Sequence, residues 1–192
     1  VILDKNYTMK PDYIRTFSGI NFKVFNPDIN QINIEDIAHA LSHLCRYGGH
    51  SDIFYSVAQH SLAVSYLVKP ENALCGLLHD ATEAYLIDLP RPIKYQIQQY
   101  RDMEEVLYTI IAKKFDLPNT LPDDVHYFDN FIITEYEWDY FMLKKRISKH
   151  KDFYRRFFEN KNPQNVKKLF LNRFKYLTEK KLVFEKNHDN NL

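Results

Sequence analysis

Residues 73–85 read ALCGLLHDATEAY, an apolar helical run that is interrupted by two ionisable side chains, His79 and Asp80. The apolar positions before this pair have the spacing of a helix that packs into a core. An unpaired charge buried on such a helix face is strongly unfavourable, and a bound metal ion removes that cost. Glu83 follows one turn later on the same helix. The stretch therefore predicts a helical protein that carries ionisable groups in its core.

Helical patterns continue on both sides of this stretch. Asn33 stands as a capping residue before an apolar run with helical spacing. The predicted helices cover about residues 34–47, 54–68, 70–87, 92–115, 122 to beyond 139, and 163–180. The fourth of them carries Ile93 and Ile97 on its apolar stripe, and extended patterns around 14–17 and 21–25 predict a short hairpin. This order predicts an all-α helical bundle with an N-terminal β-hairpin.

Length and composition favour one globular domain. The chain has 192 residues, of which 45% are hydrophobic and 27% charged, so one packed core is expected. We assign residues 1–192 to a single domain with three parts. These are an N-terminal arm at 1–32, a helical core that carries the site at 33–146, and C-terminal helices with a tail at 147–192.

Charge and residue usage argue against several classes of function. The net charge of +1 gives no global electrostatic reason to bind nucleic acid or a membrane surface. Two cysteines are too few for a disulfide framework or a zinc knuckle. No apolar run reaches the roughly 18 residues of a membrane span, and the first residues lack the layout of a secretion signal. We therefore expect a cytoplasmic protein that binds neither nucleic acid nor membranes.

Four residues have the chemistry and the order along the chain that suit a divalent metal ion: His60, His79, Asp80 and Asp129. Any one of them alone would more commonly be a hydrogen-bonded core residue or a helix cap. The HisAsp pair is harder to explain in that way, because it interrupts an apolar helix face. Glu83 supplies a second carboxylate of the kind that proton transfer beside a metal ion requires.

Six short motifs together resemble the HD superfamily of metal-dependent phosphohydrolases, in the arrangement of bacterial 5'-deoxynucleotidases and their phage-borne relatives. The motifs are DIAHALS at 36–42, RYGGH at 46–50, YSVAQHS at 55–61, HDATEAY at 79–85, DLPRPIK at 88–94 and DNFIITE at 129–135. A lone HisAsp dipeptide carries no weight, as His188 and Asp189 in the Asn-rich tail show. The ordered set implies a compact helical HD domain.

By this resemblance the four residues above bind one divalent ion. The resemblance does not choose among Mn, Co, Mg, Zn, Fe and Ni. Asp80 and Glu83 are the implied catalytic residues, with Glu83 positioning or deprotonating the attacking water. Relatives with two ions use two additional histidines between the HisAsp pair and the last aspartate. Only His126 lies there in this chain, so one ion is expected. His39 and His43 lack the acidic residue of a metalloprotease helix and are expected to lie outside the ligand set.

The resemblance also implies a substrate-binding set: Arg46, Tyr47, His50, Asp88, Arg91 and Lys94. The cationic members suit phosphate oxygens, whereas Tyr47 and Asp88 are expected to line the sugar. The expected substrate is a deoxynucleoside 5'-monophosphate, with a deoxynucleoside triphosphate as the alternative. A non-catalytic nucleotide-binding module and a structural protein with an accidental HisAsp pair are the other classes. The aromatic content and the family resemblance are compatible with a homodimer.

Overall fold

Helices dominate the computed structural model, which describes residues 12–134, 136–137, 156–157 and 162–189. The helices are α1 (Ile34–His43), α2 (Val57–Leu67), α3 (Ala73–Leu78), α4 (Glu83–Leu86), α5 (Arg91–Lys94), α6 (Gln98–Phe115), α7 (Asp123–Ile132) and α8 (Pro163–Asp189). The strands are β1 (Ile14–Arg15) and β2 (Asn21–Phe22). The predicted compact all-α fold is confirmed. The predicted continuation of the fifth helix past Asp139 lies outside the described residues.

The predicted N-terminal hairpin is confirmed, with β1 and β2 antiparallel. Phe22 in β2 is fully buried, and its ring stacks on that of Tyr85 in α4 with the centroids 4.1 Å apart. Ser18 in the turn donates its backbone N–H and its hydroxyl to the carboxylate of Asp36 in α1, at 2.6 and 2.7 Å. The hairpin is thereby fixed against two helices of the bundle.

The first helix begins where it is predicted and ends earlier. The Asn33 side chain accepts the backbone N–H of the second helical residue at 2.9 Å, as a cap does. The prediction continued the helix to the glycine pair, but α1 ends at His43. Leu44 is extended, because its carbonyl accepts the N–H of Val57 at 3.1 Å from the next part of the chain. This pairing leads the backbone inward, and Arg46 is buried.

The second helix forms the centre of the core. Ser56 and Gln59 make a capping box, which sets the start of α2 slightly later than predicted. Every residue from Val57 to Ser65 is buried, and α2 packs against α1, α3, α7 and α8. Gln59 Nε2 also donates to the carbonyl of Phe157 at 2.8 Å. His60 is therefore held on a helix that is enclosed by the rest of the bundle.

The third predicted helix is divided by a tight turn. The chain forms a 3-10 helix at Pro70–Asn72, then α3, then turns at 79–82, and then α4. The backbone in this turn bonds to the third residue before it, as where Glu83 N–H donates to Asp80 O at 3.0 Å. The HisAsp pair consequently follows α3 directly. A tight turn, and not the predicted continuous helix, separates this pair from Glu83.

The fourth predicted helix is also divided, into α5 and α6, with Ile97 extended between them. Arg101 Nη1 donates to the carbonyls of Lys94 and Tyr95, which a continuous helix would use for its own amides. Ile93 and Ile97 are 49% and 42% exposed, so the predicted apolar stripe is wrong for these two residues. Only the later part of the stripe packs into the core.

The remaining helices close the bundle. α8 packs against α1, α2 and α3, and buried residues of both α7 and α8 belong to the common hydrophobic core. After Ile132 the described residues up to Glu137 lie in wider π-helical turns. No helix in the described parts of the chain is both long and apolar enough to cross a membrane. The assignment of the whole chain to one domain stays a prediction.

Candidate metal centre

Three of the predicted metal ligands come together in the core. His60 lies in α2, His79 follows α3, and Asp129 lies in α7. One nitrogen or carboxylate oxygen from each lies within 4.8 Å of the others. His60 Nε2 is 2.9 Å and His79 Nε2 is 3.9 Å from Asp129 Oδ1. This group could hold a metal ion.

The fourth predicted ligand, Asp80, reaches the same place from the turn after α3. Its Oδ2 is 3.1 Å from His79 Nε2 and 3.9 Å from His60 Nε2. Ligand atoms that each lie about 2.0–2.2 Å from one ion are roughly 3–3.5 Å apart, which is close to these separations. Burial raises the pKa of Asp80, but His79 and then His60 lower it to about 2, so the carboxylate is ionised.

Both histidines are held through their Nδ1 atoms. His79 Nδ1 lies 2.8 Å from the carbonyl of Gly76, and His60 Nδ1 lies 2.6 Å from Glu137 Oε1. Each acceptor places the proton on Nδ1, so the lone pair on Nε2 is left for a metal ion. His79 Nε2 is buried without a hydrogen-bond partner among the described residues. The side chains present therefore fit a cation, which would satisfy both imidazoles and the facing carboxylates.

The charge around His60 supports the same conclusion. Burial and the charge of Arg46 lower the pKa of His60, but the carboxylates of Glu137 and Asp129 raise it to about 9. Burial raises the pKa of Asp129, yet its contact with His60 holds that pKa far below its usual range. A second proton on His60 compensates the two carboxylates in the metal-free protein, and a metal ion would take its place. With or without a metal ion, the carboxylates beside His60 are therefore compensated by a positive charge.

Glu137 is a buried carboxylate that the sequence analysis did not single out. It accepts hydrogen bonds from four side chains: Arg46, Tyr47, Tyr55 and His60. Burial raises the pKa of Glu137, but Arg46 and His60 lower it to about 2. The sequence signal that could have found it was its position eight residues after Asp129 on the same predicted helix. The π turns between them change the angular spacing, so helical periodicity could not bring Glu137 to the site.

Glu83 begins α4 and is almost fully buried. Burial, followed by the charges of Asp80 and Asp88, raises its pKa well above the usual value, against the opposing charges of Arg46 and Lys94. Lys94 Nζ is 4.0 Å from Glu83 Oε1, while Oε2 has no hydrogen-bond partner in the part of the chain that is described. A carboxyl in this environment releases its proton less readily than that of an ordinary glutamate.

A cavity of about 360 Å³ opens beside the ligand group. Asp80 and Glu83, the two predicted catalytic residues, line it. Its lining also includes most of the predicted substrate-binding residues: Arg46, Tyr47, Asp88, Arg91 and Lys94. His50 is exposed and lies outside this lining. The structure therefore brings every predicted site residue except His50 to the ligand group or to the adjoining cavity.

Three other histidines of the described residues lie away from the ligand group. His39 stacks on Phe17 and on His43, with ring centroids 3.9 and 4.2 Å apart. His43 Nδ1 lies 2.7 Å from the carbonyl of His39, one helical turn earlier. His126 is exposed on α7 and does not line the cavity. His126 thus adds no ligand beside Asp129.

Fold and site together define a helical protein with a buried candidate metal centre beside a charged cavity. No family model matches the chain. It is 44% identical over 117 residues to the uncharacterized protein YfdR of Escherichia coli strain K12. The matched region covers 61% of this chain and 66% of that protein. It is 37% identical over 124 residues to the uncharacterized protein RCAP_rcc00048 of Rhodobacter capsulatus. That match covers 59% of this chain and 63% of the relative. The chain spans just under two thirds of each relative, and membership of the HD superfamily stays a prediction.

Proposed function

We propose that the protein is a metal-dependent phosphohydrolase that acts on small nucleotides, as its HD-like motifs imply. The observation that carries this proposal is that one cavity adjoins three kinds of group. The group of His60, His79 and Asp129 could hold a metal ion, Glu83 is a carboxyl with a raised pKa, and cationic side chains line the same space. Hydrolysis of a phosphate ester uses all three.

His60, His79, Asp80 and Asp129 are the residues that would hold the ion. Their mixed nitrogen and oxygen donors favour Mn, Co, Fe, Ni or Zn over Mg, whose usual protein ligands are oxygens alone. A divalent ion in this place supplies a Lewis acid that polarises a phosphate oxygen and acidifies water. The protein's own contribution is to keep both imidazole rings oriented through Gly76 O and Glu137.

Glu83 is the proposed proton acceptor. In hydrolysis a water oxygen bonds to phosphorus while the bond from phosphorus to the 5' oxygen of the sugar breaks. Glu83 takes one proton from the water and returns it to the leaving oxygen, while the other stays on phosphate, which yields nucleoside and phosphate and leaves Glu83 ionised again. The raised pKa of Glu83 suits this task, because it makes the ionised carboxylate a stronger proton acceptor than an ordinary glutamate.

Two cations stand beside the proposed catalytic carboxylates. Arg46 Nη1 lies 3.6 Å from Asp80 Oδ2, and Lys94 Nζ lies 4.0 Å from Glu83 Oε1. Cations in these positions are close to where negative charge would build on the phosphate. We assign both to the binding of phosphate oxygens.

Arg91 and two other residues complete the proposed substrate contacts. Arg91 Nη2 is 3.3 Å from Asp129 Oδ2, with half of its side chain exposed, so it can meet a phosphate at the mouth of the cavity. Tyr47 and Asp88 line the same cavity and remain assigned to the sugar. His50 has no part in this set, because it lies outside the lining.

The charge of the cavity favours one phosphate over three. Three cations and four carboxylates line it, so even with a bound divalent ion the cavity carries only a small surplus of positive charge: Arg46, Arg91, Lys94, Asp80, Glu83, Asp88 and Asp129. A triphosphate carries more negative charge than a monophosphate and needs more compensation. We therefore propose a deoxynucleoside 5'-monophosphate as the substrate and keep the triphosphate as the alternative.

Turnover of a nucleotide panel tests the proposal. Protein loaded separately with Mn, Co, Fe, Ni, Zn or Mg is incubated with deoxynucleoside mono- and triphosphates, and the products are separated by chromatography. Nucleoside and phosphate are the expected products. Nucleoside and triphosphate would support the alternative substrate, and no turnover with any of these ions would rule the proposal out.

Glu83→Gln separates an enzyme from a nucleotide-binding module. The substitution keeps the shape of the side chain and removes the proton acceptor, so turnover should fall by about 100-fold or more while metal content is unchanged. Glu105→Gln is the matched control, since Glu105 is exposed on α6. Nucleotide binding without turnover by the wild-type protein would favour the binding module. The cytoplasmic location and the homodimer stay predictions.

A further inference from the structure

Residues 87–95 lie between α4 and α6 and are called here the 87–95 segment. The segment carries three of the charges that line the cavity: Asp88, Arg91 and Lys94. Its own apolar side chains do not anchor it, because Ile87, Ile93 and Tyr95 are 58%, 49% and 64% exposed. Ile87 also has a φ of 65°, a conformation that β-branched residues rarely adopt. An exposed segment with a strained backbone needs other contacts to keep its charges in place.

Three neighbouring side chains of α6 make such contacts, and together they are called the α6 clamp: Tyr100, Arg101 and Glu104. The Tyr100 hydroxyl donates to the carbonyl of Ile87 at 2.6 Å. Arg101 Nη1 donates to the carbonyls of Lys94, at 3.2 Å, and Tyr95. Glu104 Oε1 accepts from Lys94 Nζ at 2.7 Å. The α6 clamp therefore holds the 87–95 segment at its first residue, at its last residue and at one of its cavity-lining cations.

Lys94 lies between two carboxylates. Its Nζ is 2.7 Å from Glu104 Oε1 and 4.0 Å from Glu83 Oε1, with the centroid of the Tyr100 ring 5.6 Å away. A lysine ammonium has three donors on a flexible stem, so its direction depends on its partners. While Glu104 engages one donor, the others remain for a ligand in the cavity. Without Glu104 the ammonium is free to close on Glu83.

We propose that the α6 clamp positions the 87–95 segment, and that Glu104 directs Lys94 to the phosphate instead of to Glu83. The second part rests on the proposed function. Glu104 and Tyr100 act through Lys94 and Ile87 and line no part of the cavity themselves, so they are positioning residues. Loss of either should disturb phosphate binding through the segment, without a contact of its own to the ligand.

A double-mutant cycle tests the role of Glu104, with inorganic phosphate as the probe because its binding needs no turnover. In Mn-loaded protein, Glu104→Ala should raise the Kd for phosphate about tenfold. In the Lys94→Ala background the same change should alter Kd by less than about twofold, since the partner through which Glu104 acts is absent. Glu105→Ala on the same helix is the matched control and should leave Kd unchanged. Equal weakening in both backgrounds, or no phosphate binding by the wild-type protein, would overturn the assignment.

Hydrogen exchange tests the clamp itself and requires neither metal nor substrate. Tyr100→Phe removes one hydroxyl, so amides of the 87–95 segment should exchange at least about fivefold faster, while those of α2 keep their rates. Unchanged exchange in the segment would overturn the clamp. If the wild-type protein turns over no nucleotide but both the cycle and the exchange results hold, the proposed hydrolysis fails and the clamp stands. The two failures are therefore distinguishable.

Discussion

The two sides of the cavity are built in opposite ways. On the histidine side, His60 and His79 are buried and the Nδ1 atom of each ring has a fixed acceptor. On the other side, the 87–95 segment exposes its apolar side chains and is held by polar contacts from α6. The site thereby separates two tasks. The core holds the candidate metal ligands in fixed positions, and a lightly anchored segment presents charges to the cavity.

The largest expected effect comes from removing a ligand on the histidine side. His79→Ala deletes a nitrogen that faces the ligand group, so metal affinity should fall by more than about 100-fold and turnover should fall to background. Elemental analysis after dialysis and nucleotide turnover measure the two losses. His126→Ala, which changes an exposed histidine, should affect neither. Full metal content in His79→Ala would place the ion elsewhere.

A smaller loss is expected when a ligand keeps its ring but loses its support. Glu137→Gln retains the size of the side chain and removes the carboxylate that fixes His60 and compensates Arg46. Metal affinity should fall roughly 10–100-fold, and the free energy of unfolding by about 3 kcal/mol. Metal titration and denaturant unfolding measure these changes. Glu179→Gln, in an exposed pair with Lys175, should change neither; a matching result for both variants would contradict the role of Glu137.

The same substitution has a pH signature in the metal-free protein. The pKa of Glu137 is lowered from 4.5 to about 2 on folding, so the unfolded chain binds its proton at a higher pH than the folded protein does. The stabilisation from the ionised carboxylate is present above about pH 4.5 and is lost as the pH falls toward 2. The difference in unfolding free energy between wild type and Glu137→Gln should shrink over that range. A difference that does not vary with pH would argue against a stabilising, ionised Glu137 in the folded protein.

A moderate effect is expected on the segment side. Arg91 has a half-exposed side chain and donates to Asn130 at 2.9 Å besides pairing with Asp129. Arg91→Ala should raise KM for the nucleotide about three- to tenfold and leave metal content unchanged, because it removes a contact to the substrate and no ligand. Initial-rate kinetics measure this, with Lys113→Ala as a control at an exposed cation of α6. Loss of metal from Arg91→Ala would break the separation of the two sides.

The smallest expected effect is on stability. Ile93→Ala, in the 87–95 segment, should change the free energy of unfolding by less than about 0.5 kcal/mol because the side chain is already half exposed. Leu78→Ala, beside His79 and fully buried, should cost about 2–5 kcal/mol. Denaturant unfolding of both variants measures the contrast. Similar costs would mean that the segment is anchored by burial after all.

Sequence patterns predict the helices and the ligand positions because both leave local signals. Asn33 caps α1 as expected, and the apolar spacing around His60 and His79 indicates that these residues are buried. The motif that begins at Asp129 lies near both histidines in the structure. These features depend on residues that are close in sequence, or on side-chain chemistry that is specific by itself.

The breaks in the helices could not be predicted, because they depend on contacts between distant or irregular parts of the chain. α1 ends early because Leu44 pairs with Val57, and α6 is separated from α5 where Arg101 takes two backbone carbonyls. Glu137 was missed for a related reason. Its hydrogen-bond donors come from residues far upstream, and the π turns after Asp129 defeat the one local signal, its spacing from that residue.

The long reach of the contacts around α2 also has a consequence for biosynthesis. Glu137 follows His60 by 77 residues, and the carbonyl of Phe157 follows Gln59 by 98. A nascent chain that has only just released α2 and α3 from the ribosome lacks Asp129 and the carboxylate that orients His60. An ion bound at this centre would therefore be enclosed only after Asp129 and Glu137 have been synthesised, and it would not template the first folding steps of α2 and α3.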